Sequence, residues 1–218
     1  STWCVDEEFS WDASCGEGIV LKSGIDESIS SIKNLEINNA YGYPFKIGDV
    51  KEYAAMIFDG ASITADGLSF SNVNTSSVLV TNQAAPVLSN GDFTVGIDEE
   101  GFRGPAISSY TAGKNPQERF TISNSDFSGT AMGCDQNSGK LTTIWVTDSH
   151  VNFDGLTMQP NAEGASADLG IYLRRSAGEV LNSDFTTECN GINVNSRRVI
   201  ESGGNEIHFP IYINSSIS

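Results

Sequence analysis

Apolar and polar residues alternate along this chain in very short stretches. "GIVLKS" at Gly18, "GIYLRRS" at Gly170 and "GINVNS" at Gly191 each set two apolar residues one position apart; "TIWVTDS" at Thr143, "PIYINSS" at Pro210 and "SSVLVTN" at Ser76 are looser versions. A period of two sends successive side chains to opposite faces, which predicts half-buried strands of three to five residues. No window of about eleven residues carries the apolar stripe of an amphipathic helix.

A second pattern interleaves with the first. An apolar residue, four mostly polar ones and another apolar residue recur at Ile63–Leu68, Leu88–Phe93, Ile122–Phe127, Val151–Leu156 and Val180–Phe185. The wording recurs as well: "SNGDF", "SNSDF" and "LNSDF" end at Phe93, Phe127 and Phe185, while "ADGLSF" and "FDGLTM" carry Leu68 and Leu156. With "KNLEI" at Leu35 and "GNEIHF" at Ile207 as weaker copies, the equivalent positions are Leu35, Leu68, Phe93, Phe127, Leu156, Phe185 and Ile207, spaced 33, 25, 34, 29, 29 and 22 residues apart. Units this small cannot bury their own cores and must stack on their neighbours.

In this recurrence the chain resembles the right-handed parallel β-helix proteins, the pectin-lyase-like superfamily, over roughly Gly18 to Ile213. The resemblance implies an all-β solenoid of about seven irregular coils, with residues 18–218 as the β-helix. A β-sandwich is the alternative fold. Against it, the same wording returns unit after unit and no hairpin dipeptide links the alternating runs cleanly. An open solenoid end exposes strand edges. Residues 1–17, with Trp3, Phe9 and Trp11, are therefore expected to form an N-terminal cap.

The 28 acidic against 12 basic residues give a formal net charge of −16. Such a surface repels phosphate backbones and anionic lipid heads, so neither nucleic acid nor membrane is an expected partner. It suits an extracellular protein. The chain opens on Ser1 rather than Met, which reads as a processed product or an excised domain. Cys4, Cys15, Cys134 and Cys189 form no CxxC, and only His150 and His208 accompany them, so zinc is poorly supported. Cys4 with Cys15, and Cys134 with Cys189, is the pairing expected in an oxidising compartment, with four free thiols as the alternative. Asn74 and Asn214 lie in glycosylation sequons.

The chemistry expected of a β-helix enzyme is thinly represented. The resemblance implies polysaccharide lyases, with calcium-holding carboxylates and a basic proton acceptor, or hydrolases with paired carboxylates. There is no Asp-Asp pair, no Gly-His-Gly and no Arg-Ile-Lys. Asp92, Asp126 and Asp184, each just before a core Phe, read as turn-capping acids. Asp98, Glu99 and Glu100 offer hard oxygen ligands that Ca²⁺ accepts, but their spacing matches no calcium loop, so no cofactor is expected. Tyr41, Tyr43 and Phe45 read as rings that pack a loop down.

The richer constellation is a face. If Ile144, Ile171, Ile192 and Ile211 stack inward, Trp145, Tyr172, Asn193 and Tyr212 form one outward ladder, and Thr147, Arg174, Asn195 and Asn214 a second. Aromatic faces meet the C–H face of a pyranose, while guanidinium and amide groups bind hydroxyl or acidic substituents. Trp145, Tyr172, Arg174, Asn193, Asn195 and Tyr212 are thus the candidate ligand-binding residues. Arg175 reads as a solvated turn residue near Glu179. Together these features point to a secreted or cell-surface module without catalysis, for adhesion, carbohydrate binding or surface structure, whose partner is a polysaccharide or another copy or domain. A lyase or hydrolase with a divergent site is the competing reading.

Overall fold

The computed structural model describes residues 18–40, 42–48, 50–73, 75–94, 97–98, 101–102, 105–129, 142–160, 169–185, 190–195, 199–200, 206–207 and 211–217. Among them there is no helix, and so none long and apolar enough to cross a membrane. The chain runs through β1 (Ile19–Lys22), β2 (Ser31–Lys33), β3 (Glu36–Asn38), β4 (Tyr43–Ile47), β5 (Val50–Asp59), β6 (Thr64–Asp66) and β7 (Ser69–Ser71). It continues through β8 (Ser76–Thr81), β9 (Val87–Ser89), β10 (Asp92–Thr94), β11 (Ile97–Asp98), β12 (Gly101–Phe102), β13 (Ile107–Tyr110) and β14 (Phe120–Gly129). It ends in β15 (Thr142–Thr147), β16 (His150–Pro160), β17 (Leu169–Arg174), β18 (Ala177–Phe185), β19 (Asn190–Asn195), β20 (Val199–Ile200), β21 (Glu206–Ile207) and β22 (Ile211–Ile217).

Two large sheets take up most of these strands, and nearly all of their pairings are parallel. The first sheet has the order β1-β5-β8-β13-β15-β17-β19, with β4 antiparallel on β5. In the second, β2, β6, β9, β14, β16, β18 and β22 follow one another as parallel neighbours, and β3, β7 and β10 extend the rows of β2, β6 and β9. The short strands expected from the period-two pattern are present, as is their stacking.

Register is what makes the core. In the first sheet Met56, Val78, Ile107, Ile144 and Ile171 lie opposite one another, and so do Phe58, Val80, Ser109, Val146 and Leu173. All ten are buried to 1% exposure or less. In the second sheet one row holds Ala65, Leu88, Ile122, Phe153 and Val180, and another holds Phe70, Phe93, Phe127, Met158 and Phe185. Parallel strands lie ~4.8 Å apart, so like rings in register must stack. Phe70, Phe93 and Phe127 do so, with centroids 5.4 and 4.9 Å apart and planes within 12°.

The rows of the second sheet bend at a fixed place. Asn34, Gly67, Asn90, Asn124, Gly155 and Asn182 all have positive φ, and each is the third residue of a six-residue unit that starts and ends on inward residues. Gly adopts this left-handed conformation freely, and Asn tolerates it better than most residues. The bend interrupts the ladder of backbone hydrogen bonds, and serine repairs it. Ser125 Oγ donates to the Ser123 carbonyl at 2.8 Å and accepts the Gly91 N–H at 3.0 Å. Ser183 Oγ does the same for the Leu181 carbonyl at 2.7 Å and the Leu156 N–H at 3.0 Å. Outside the bend, Asp66 Oδ1 accepts from Ser89 Oγ and Asn90 Nδ2, both at 2.7 Å. These bonds, Ser89 foremost, hold its carboxyl below the ordinary carboxylate range.

The bend also corrects the repeat. Phe93 lies opposite Phe70 and Phe127, not Leu68, and Phe127 lies opposite Met158, not Leu156. The first member of the row is Ile37 rather than Leu35, and the last is Ile217, opposite Phe185. Aligning by wording placed the "DG" units two residues out, because Gly67 and Gly155 do the work that Asn90 and Asn124 do elsewhere. Ile207 is in no large sheet; it pairs antiparallel with Val199. A hairpin was also missed: β4 folds back on β5 around the positive-φ Gly48. The cap expected from residues 1–17 lies outside the described residues, as do Cys4, Cys15, Cys134, Cys189 and Asn74.

Two outcomes follow from this construction. Phe93→Ala removes the middle ring of the stack and is expected to cost about 3–5 kcal/mol in chemical denaturation; a cost below about 1 kcal/mol contradicts the packing. Asp66, with its carboxyl lowered in the folded state, contributes stability that is complete above its ordinary value of 3.8 and is lost as pH falls through the folded value. Ser89→Ala is expected to move the Asp66 carboxyl upward in an NMR titration, and an unmoved titration contradicts the assignment.

Candidate functional site

The outer face of the first sheet carries two ladders. The first reads Val20, Ile57, Leu79, Ser108, Trp145, Tyr172 and then, as a backbone position, Asn193. The second, two residues along each strand, reads Lys22, Asp59, Thr81, Tyr110, Thr147, Arg174 and the backbone position of Asn195. Trp145, Tyr172 and Arg174 therefore stand together as the period-two pattern implies, with Asn193 and Asn195 in register on the next strand.

Tyr212 does not join them. β22 pairs with β18 in the second sheet, which sets Tyr212 opposite Glu179 and Asn214 opposite Leu181. "PIYINSS" copies the wording of "GINVNS" but takes the place of "VLNSDF". Ile213 and Ile217 face Val180 and Phe185 with one residue fewer between them, and the pairing shifts register there. The missing bend residue concealed the match.

The early part of the face is covered. Ile57 and Leu79 are fully buried and cluster with Ala54, and Val20, Phe45, Ile47 and Tyr110 pack against them. Phe45 thus packs its segment down as expected, while Tyr43 on the same strand remains 40% exposed. The Tyr110 hydroxyl donates to Glu52 Oε1 at 2.7 Å. Burial, with Glu52 adding to it, pushes the phenol above its ordinary range, so it stays a donor.

Beyond Tyr110 the face carries the ring pair. The Trp145 and Tyr172 rings are 4.5 Å apart between centroids and tilted by 38°, and both residues are half-buried. The Trp145 Nε1–H donates to Thr147 Oγ1 at 3.0 Å. Arg174 is exposed. Among the described residues Arg119 pairs with Glu179 at 3.2 Å and Arg175 with Asp148, whereas Arg174 has no carboxylate partner. Arg175 thus meets Asp148 rather than Glu179. It sits at a second corner with positive φ, in line with Gly60, Asn82, Thr111 and Asp148.

The remaining candidates are dispersed. Asp92 and Asp126 are exposed in-register neighbours on the second sheet, followed by Thr157 and then Asp184. Burial, with Arg119 adding to it, lowers His150 below its ordinary value. Among the described residues no three His, Cys, Asp or Glu side chains are placed to hold a metal ion. Glu99 and Glu100 lie outside those residues. A shallow cleft of about 320 Å³ on the second sheet is lined by Ser62, Val87, Arg119, Thr121 and Asn152 among others. Val87, Thr121 and Asn152 are in-register neighbours on three successive rows there.

No family model, curated protein or solved structure matches this chain.

The bond between Tyr110 and Glu52 ties the β4–β5 hairpin to the face beside the rings. Tyr110→Phe is expected to cost about 1 kcal/mol and to speed amide exchange in β4. Unchanged exchange there contradicts that tie.

Proposed function

We propose that the chain winds as a single right-handed parallel β-helix and serves as a non-catalytic, extracellular carbohydrate-binding or adhesive module. The order of strands supports the winding. The chain passes between the two large sheets again and again, and apart from the antiparallel β4 each return adds a parallel strand one further along. Parallel crossovers of this kind are right-handed in nearly all proteins. The acidic surface, the sequons and the cysteines fit a secreted or cell-surface location.

The observation that carries the binding reading is the Trp145–Tyr172 ring pair, half-exposed beside an arginine without a carboxylate partner among the described residues. Contiguous exposed rings mark contact surfaces more often than scattered ones do. A pyranose presents a C–H face to such rings and hydroxyls to the arginine beyond them.

The test is retention on a glycan array. Trp145→Ala combined with Tyr172→Ala is expected to weaken binding at least about tenfold, from the loss of two aromatic contacts. Equal retention of wild type and variant on every glycan contradicts the reading. Release of unsaturated sugar from acidic polysaccharides would replace it with a lyase.

A further inference from the structure

We propose that Thr147 is the positioning residue of the Trp145–Tyr172 ring pair and holds it in its ligand-ready orientation; this rests on the carbohydrate-binding reading above. Thr147 lies on the outer face of the first sheet, in register between Tyr110 and Arg174. An outward threonine is ordinarily open to water, yet Thr147 is only 6% exposed. Residues two apart on a strand share a face and are ~6.6 Å apart, a gap the long indole spans. The Trp145 ring reaches along its own strand and bonds Thr147 Oγ1 at 3.0 Å, so it lies toward the threonine rather than standing away from the sheet.

Two consequences follow. The bond selects one orientation of the indole, the one that sets it 4.5 Å from Tyr172 at a tilt of 38°. Fixing a ring before a ligand arrives removes part of the ordering cost of binding. The bond also consumes the only donor an indole has. Toward a ligand Trp145 then offers its π surface and no hydrogen bond, and polar recognition passes to Arg174, directly opposite Thr147 on the next strand.

The experiment compares Thr147→Val, which keeps the shape and removes the acceptor, with Thr147→Ser, which keeps the acceptor. Both are made in full-length chain carrying Trp3→Phe and Trp11→Phe, so that Trp145 is the remaining indole of the three. Indole emission and near-ultraviolet circular dichroism are read without ligand, and titrations with cellohexaose and mannohexaose follow. Thr147→Val is expected to shift the indole signals and weaken cellohexaose binding about five- to tenfold, the equivalent of one hydrogen bond. Thr147→Ser is expected to restore both. Parent-like signals in Thr147→Val, or a Thr147→Ser variant as perturbed as Thr147→Val, overturn the positioning role. Cellohexaose binding that is lost in the Trp145/Tyr172 double variant but unmoved in Thr147→Val also overturns it, and leaves the carbohydrate reading standing. Binding of neither sugar by the parent overturns the expected effect on affinity; array retention that depends on both rings would still uphold the wider reading.

Discussion

Everything in this molecule depends on the alignment of parallel strands ~4.8 Å apart with like residues opposite like. That spacing stacks the inward rings of Phe70, Phe93 and Phe127 and brings the outward rings of Trp145 and Tyr172 together. It also transmits errors: a slip of one residue would turn a row's apolar residues outward. Register is therefore pinned at intervals, and the left-handed Asn and Gly residues do the pinning. Each occupies the third position of its unit, from Asn34 to Asn182. Behind them, buried serine hydroxyls take up backbone N–H groups that the bend has deprived of carbonyls. The second corner repeats the device. Ser149 Oγ accepts the Ala112 N–H at 3.0 Å, and Ser176 Oγ accepts the Ser149 N–H at 3.2 Å.

The same constraint explains the candidate site. An outward ladder costs nothing to the core, so its composition is free to vary from row to row. Early rows spend it on Ile57 and Leu79, which the β4–β5 hairpin covers. Later rows place Trp145 and Tyr172 there, with Thr147 and Arg174 in the neighbouring ladder. The core and the outward ladders thus share one scaffold without sharing residues. The Tyr110–Glu52 bond links the covered region to the ring-bearing one.

Much of this was legible in the sequence. Period-two runs mark β1, β8, β15, β17 and β19, and their alternation puts Trp145, Tyr172 and Arg174 on one face. What failed was register, and for a physical reason. Glycine at a bend offers no side chain to align, so "ADGLSF" and "FDGLTM" were matched by their leucines instead of by Gly67 and Gly155. Tyr212 was misassigned because β22 lacks a bend residue and so resembles a strand of the other sheet. The β4–β5 hairpin escaped because β5 is continuous, pairing with β4 in its first half and with β1 and β8 in its second. The partnerships of Arg119 with Glu179 and Arg175 with Asp148 join residues 60 and 27 positions apart and had no local signal.

The central claim is that register, set at the bends, assembles both the core and the Trp145–Tyr172 ring pair. Cross-strand nuclear Overhauser contacts in uniformly labelled full-length chain test it most directly. Contacts of Trp145 with Tyr172, of Phe93 with both Phe70 and Phe127, and of Val180 with Ile213 are the expected result. A contact of Ile192 with Ile211, or the absence of contacts from Phe93 to Phe70 and Phe127, would contradict the account.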